Sequence, residues 1–365
     1  MHRTGHESSV ARQSGLSLIE LMISITIGLV ILAAVAAIFA SSSRSRQETE
    51  RSSRQIENGR YAMQLLSDDL KVAGFLGEFD PSVLSIGGMA LPDPCATDLA
   101  ALRDALPLHV QGVDNGGAIP SCLSDVKDGS DILVVRRAST CVAGATDCDP
   151  FADGTPHFQA SLCTPATGGT ELAFSASTNA EYAANWYALD TSAGNLTRQR
   201  TNCTTVADMR RYRTHIYFVA NNSTSGDGIP TLKRAELGGG AFSIVPLVEG
   251  IESLHFEYGL DTNCNGTPDV YSTDPTAYTP MTAHCAPFAA LAASAAGNWR
   301  NVVSAKIHLL ARNTEASQGH ADTKTYVLGV TADGADNTLG PYNDAYKRHA
   351  YTSAVRLANP AGKRE

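Results

Sequence analysis

The chain has 365 residues, 43% hydrophobic and 18% charged, with 28 Lys and Arg against 37 Asp and Glu and a formal net charge of −9. This composition supports a sizeable core and excludes intrinsic disorder over most of the length. The acidic balance excludes a direct nucleic-acid partner, because a surface that displaces counterions from phosphates has to be basic.

The first predicted element is an apolar helix. From Leu16 to Phe39 there are 24 residues with no Lys, Arg or Asp, and at about 1.5 Å per residue such a run spans roughly 36 Å, enough to cross a bilayer. Glu20 is its one acid. An unpaired carboxylate in lipid costs about 2.5 kcal/mol or more, so Glu20 calls for a partner. A secretory signal peptide has a shorter apolar core that ends at a small-x-small cleavage site; this run is too long and lacks that ending. Arg3 and Arg12 precede the run and Arg44 and Arg46 follow it, so the charge count alone does not orient it.

Gly15-Leu16-Ser17-Leu18-Ile19-Glu20-Leu21 resembles the prepilin cleavage motif of type IV pilins and type II secretion pseudopilins. The resemblance implies cleavage between Gly15 and Leu16 by an inner-membrane prepilin peptidase, N-methylation of Leu16, and an assembly role for Glu20. In the family, the matching acid is paired with the N-terminal amine of an adjacent subunit. Leu16 stands where Phe is commonest, the mark of a minor component. A stretch further on, from Glu57-Asn58-Gly59-Arg60-Tyr61-Ala62-Met63 into Leu65 to Phe75, is similar to the second half of the long helix in PilW-like minor pilins. Independently of that, Ile56, Met63, Leu66 and Leu70 recur at helical spacing and predict one apolar face laid on a core, with Gly74 as the stop.

Pro81 to about Asp128 reads as loops with a short helix near Asp98 to Ala105. Strands are predicted over Asp131–Arg137, Tyr212–Val219, Thr231–Leu237, Leu254–Leu260 and Val303–Leu309, from β-branched runs and polar/apolar alternation. Alternation predicts sheets with one face buried, which puts His255 and His308 on a solvated polar face. Asn298 to Val303 and Arg348 to Asn359 again look PilW-like. The fold class expected is α+β: a type IV pilin-like long helix packed on a mostly antiparallel head with disulfide-bearing loops. The boundaries expected are a leader at 1–15, a membrane or filament-core helix at 16–39, its amphipathic continuation at 40–75, and a head at 76–365.

Eight cysteines, Cys95, Cys122, Cys141, Cys148, Cys163, Cys203, Cys264 and Cys285, contain no CxxC pair. An even set without short metal-ligand spacing favours disulfides and an oxidising compartment over zinc. Sequence alone leaves the pairing open, and joining neighbours (95 with 122, 141 with 148, 163 with 203, 264 with 285) is the simplest arrangement. No HExxH, GxSxG, Walker lysine loop or strand-following GxGxxG is present, so no catalytic residues and no enzymatic activity are expected. Asp261, Asn263, Asn265 and Asp269, with Gly266 at the sixth position, form a candidate calcium loop that has Ser272 where a bidentate acid belongs. The competing reading is an Asx-turn hairpin tip.

The resemblance implies a structural minor pilin that takes part in pilus assembly or priming, in a minor-pilin complex at or near the tip. Its implied partners are other minor and major pilins, prepilin peptidase, the inner membrane and the pilus assembly machinery. The location implied is a single inner-membrane pass with cytoplasmic N-terminus and periplasmic head, and then the pilus surface, where adhesion or twitching motility is exercised. The alternatives are a type II secretion pseudopilin, or a membrane-anchored periplasmic binding protein or enzyme.

Overall fold

A computed structural model describes residues 15, 17–86, 90–114, 116–172, 176, 178–278 and 294–364. The chain divides into two compact units, residues 1–51 and 52–365. Helix α1, Leu18–Lys71, contributes to both.

In the first unit, the apolar side chains from Leu18 to Phe39 are exposed, and the segment is long and apolar enough to cross a membrane. Apolar residues occur on every side, so the helix is not held by one buried stripe, and its backbone groups are satisfied within the helix itself.

The second unit begins with the rest of α1, whose buried residues are Gln55, Gly59, Ala62, Met63, Leu66, Asp69 and Leu70. The expected stripe is corrected here: Ile56 is 45% exposed, and its neighbour Gln55 takes the buried position. Gln55 Nε2 donates to the Ala311 and Lys347 carbonyls at 2.9 and 3.0 Å. Gly59 lets the Tyr351 ring come so close that an added Cβ would fall 2.3 Å from it. A polar and a Cβ-less residue escape a hydropathy pattern, although both pack. Gly74 (φ +72°) ends the helical region, and its N–H donates to the Arg136 carbonyl at 2.9 Å.

The head continues as α2 (Leu99–Ala105), β1 (Val110–Val113), β2 (Ile132–Ala138), β3 (His157–Ala160), α3 (Asn179–Asn185), β4 (Tyr187–Asp190), β5 (Met209–Ala220), β6 (Thr231–Leu237), β7 (Phe242–Glu249) and β8 (Ile251–Leu260). It ends with β9 (Val270–Ser272), α4 (Ala295–Arg300), β10 (Val302–Arg312), β11 (Tyr326–Val330), β12 (Asp336–Leu339), β13 (Arg348–Arg356) and α5 (Ala358–Gly362). One sheet of seven strands runs β1-β2-β5-β3-β4, with β6 paired to β5 and β7 to β6; a second runs β13-β10-β8-β9, and β11 and β12 form a separate hairpin. All strand pairs are antiparallel. The fold is α+β, as expected.

One core joins α1 (Ala62, Met63, Leu66, Leu70) to β2 and β5 (Leu133, Val135, Tyr217) and to β8 and β10 (Leu254, Phe256, Ile307, Leu309). The expectation of one buried face fails for β8, because all ten of its residues are buried. The β11–β12 hairpin packs on the outer side of β8 and β10, where Gly329 sits so close that a Cβ would meet Glu257 Oε1 at 2.5 Å and His308 Nε2 at 2.7 Å. His255 and His308 are therefore buried (4% and 6% exposed) and not solvated. Alternation still appears in the sequence because the covered outer face is polar.

Candidate functional site

At the N-terminal end, Gly15 is exposed with nothing within 4 Å of where a Cβ would stand. Leu16 lies outside the described residues. Glu20 Oε2 accepts from the Ser17 N–H at 3.1 Å, which sets the carboxylate at the positive end of the helix dipole. The Thr26 hydroxyl bonds back to the Met22 and Ile23 carbonyls, the usual way an apolar helix carries a hydroxyl.

Where the second half of α1 meets the head, an acid interrupts the apolar stripe. Asp69 is 6% exposed; its Oδ1 accepts from Arg137 Nε at 2.6 Å, and its Oδ2 from His215 Nδ1 at 2.7 Å and Tyr217 Oη at 2.8 Å. Register explains the convergence. Val135 lies opposite His215 and Leu133 opposite Tyr217, so Arg137, His215 and Tyr217 share the sheet face turned to α1. Burial pushes the Asp69 carboxyl up, but His215 and Arg137 together hold it well below the usual carboxylate range. Beyond His215, Glu236 is paired with Arg213 and Arg234, and the His215 ring, against burial and with these arginines, brings its pKa to about 2. A second buried hub is Arg348, whose guanidinium meets Glu252, Asp322 and Asp344 at 2.5 to 2.9 Å and stacks on Tyr342. Sequence reading missed both hubs. The available signal for the first was an acid in register with Leu66 and Leu70.

The loop at 261–269 has the hydrogen bonds of an Asx-turn tip. Asp261 is fully buried; its Oδ1 accepts from the Cys264 and Asn265 N–H groups and its Oδ2 from Gly266 N–H and Arg364 Nη1. Asp269 accepts from Thr262 and Asn263, while Asn263 and Asn265 accept from backbone N–H groups within the loop. The four candidate calcium side chains thus accept hydrogen bonds from within the loop, and the Arg364 guanidinium faces Asp261. Asp114, Asp131 and His255 also bring ligand-type atoms within 4.8 Å of one another. His255 Nδ1 faces Asp131 Oδ2 at 2.9 Å and Nε2 faces the Val330 carbonyl at 2.8 Å. A ring protonated on both nitrogens donates to both of these acceptors. Against burial, Asp131 raises the ring's pKa.

Disulfides join Cys95 to Cys122, Cys141 to Cys148 and Cys163 to Cys203. Cys264 is also disulfide-bonded, and Cys285 lies outside the described residues.

Two family models match the chain: Type IV Pilus-assembly protein W over residues 216–359, and the prokaryotic N-terminal methylation motif over residues 10–36. The first runs from the second half of β5 to the start of α5, and the second covers Gly15, Leu16 and Glu20. None of the curated proteins matches the sequence. A solved structure, a type IV-like pilin from Thermus thermophilus, is similar at 13% identity and a TM-score of 0.28, over 65% of this chain and 80% of that one.

Proposed function

We propose that this PilW-like chain acts as a minor pilin cut between Gly15 and Leu16 by prepilin peptidase, methylated on Leu16, and held in the inner membrane by residues 16–39 until it joins other minor and major pilins at or near the pilus tip. The observation that carries the reading is the coincidence of the methylation motif at 10–36 with an exposed apolar helix containing Glu20, on a chain whose distal part matches the pilus-assembly family. Before cleavage the Leu16 nitrogen is a neutral amide. Cleavage makes it an amine, and the Glu20 carboxylate is held at the helix start by Ser17. A partner subunit's amine then offers the counter-charge that a carboxylate in lipid requires.

The test is Glu20→Val in the producing organism. Membrane insertion and leader removal should proceed as in wild type, because neither needs the carboxylate, whereas incorporation into pili should fall at least tenfold, read by immunoblot of sheared filaments. Normal incorporation of the variant would rule out the pairing, and a leader retained on the wild-type chain would rule out the pilin reading itself.

A further inference from the structure

The side of the β2–β5 pair turned away from α1 carries an uncompensated charge. On that side Val134 lies opposite Ile216, and Ala138 lies opposite Tyr212. Val134 and Ile216 belong to one apolar cluster, which Cys95 and Cys122 help to cover; Ala138 and Tyr212 belong to another, which includes Ala96, Leu102 and Leu106. Between the two clusters sits the cross-strand pair Arg136 and Thr214, which belongs to neither.

Arg136, Thr214 and Tyr212 are 3%, 1% and 1% exposed, and Arg136 Nη1, Thr214 Oγ1 and Tyr212 Oη are all buried without a hydrogen-bond partner. The guanidinium's side-chain contact is neutral: Nη2 donates to Gln111 Oε1 at 2.8 Å. Among the described residues Arg136 has no ion pair. Asp93 acts on it only at longer range, and that carboxylate accepts from the Cys95 N–H at 2.9 Å. The surroundings are electropositive as well. Burial, with the charges of Arg364, Arg300 and Arg136, pushes His109 down to about 3, so this neighbour stays neutral.

An isolated buried guanidinium is costly, and arginine cannot relieve the cost by losing its proton. Tyr212 is pushed up to about 12 by burial, so its hydroxyl keeps its proton and can donate. Three donors (a guanidinium N–H and two hydroxyls) thus lie on one strand-pair face without an acceptor. An occupant that accepts from all three and carries negative charge satisfies every group; water would satisfy the geometry and leave the charge. We propose that the polar break between these two apolar clusters binds a small monovalent anion, of halide size, held by Arg136, Thr214 and Tyr212.

The experiment uses the full chain, produced in an oxidising compartment and purified in detergent micelles. Its melting temperature should rise saturably with chloride and bromide, and not with gluconate at matched ionic strength, because only an anion small enough to reach the three donors binds the folded state selectively. Tyr212→Phe and Thr214→Val, each near-isosteric, should raise the half-saturating halide concentration by about tenfold, as loss of one hydrogen bond to a charged group does. Arg136→Met should abolish the halide response; if that variant does not fold, the two hydroxyl variants decide. Crystals grown in bromide should show an anomalous peak between Arg136 and Tyr212. Equal melting temperatures in halide and gluconate, or a halide response unchanged in the hydroxyl variants, would overturn the proposal.

Discussion

Asp69 shows how one side chain ties a helix to a sheet. Its two oxygens take bonds from three residues of β2 and β5, and removing one member of such a buried network leaves the others unpaired. Asp69→Asn should therefore destabilise the head by about 3 to 5 kcal/mol, measured as a lower urea midpoint at unchanged slope. The pH dependence has a definite sign. Asp69 and Glu236 both have folded-state values below their usual ones, so the stability they contribute is present above the ordinary carboxylate range. It is lost as pH falls, for Glu236 from 4.5 toward about 2. Wild-type stability should drop steeply through that window, and Asp69→Asn should drop less, because it has already lost the contribution of the Asp69 carboxylate. Parallel pH profiles for the two proteins would contradict this account.

The buried face of α1 is built as much from what it lacks as from what it carries. At Gly59 a methyl group would stand 2.3 Å from the Tyr351 ring of β13. Alanine raises helix propensity by about 1 kcal/mol over glycine, whereas overpacking costs typically 1 to 3 kcal/mol. The steric cost should win, and Gly59→Ala should destabilise by about 1 kcal/mol. In a Tyr351→Ala background the same change should become neutral or stabilising, and a double-mutant cycle reads the coupling directly. At the far end of the helix, Asn359 of α5 donates to the Ala73 carbonyl at 3.0 Å, so a residue near the C-terminus completes the helix cap.

In the whole molecule, the three described disulfides fall between Cys95 and Cys203, ahead of the pilus-assembly match at 216–359. This region has short strands and long loops, where covalent closure substitutes for core. Closed loops stabilise according to their length. Removing the Cys163–Cys203 bridge, with a separation of 40 residues, should cost about 4 kcal/mol by the loop-entropy relation. Removing Cys141–Cys148, with a separation of 7, should cost about 2 kcal/mol. Denaturant titration of the paired Cys→Ala variants checks the order. A larger loss for the shorter loop would mean that native-state contacts, and not chain entropy, set the contribution.

The apolar run with its single acid, the helical spacing of Met63, Leu66 and Leu70, and the α+β class were determined by the sequence itself. Each is a local pattern whose period or length has one economical fold. The main strands followed from the same local signal. The tertiary structure decided what depends on residues far apart in the chain. Asp69 meets His215 across 146 positions, Gln55 displaces Ile56 from the seat because it reaches carbonyls 256 and 292 positions away, and His255 is buried because β11 covers it. The loop at 261–269 carries oxygens at calcium spacing, and Arg364, 103 positions further on, pairs with the first of them. Polar groups are written into a sequence without their partners, and only the folded chain supplies those.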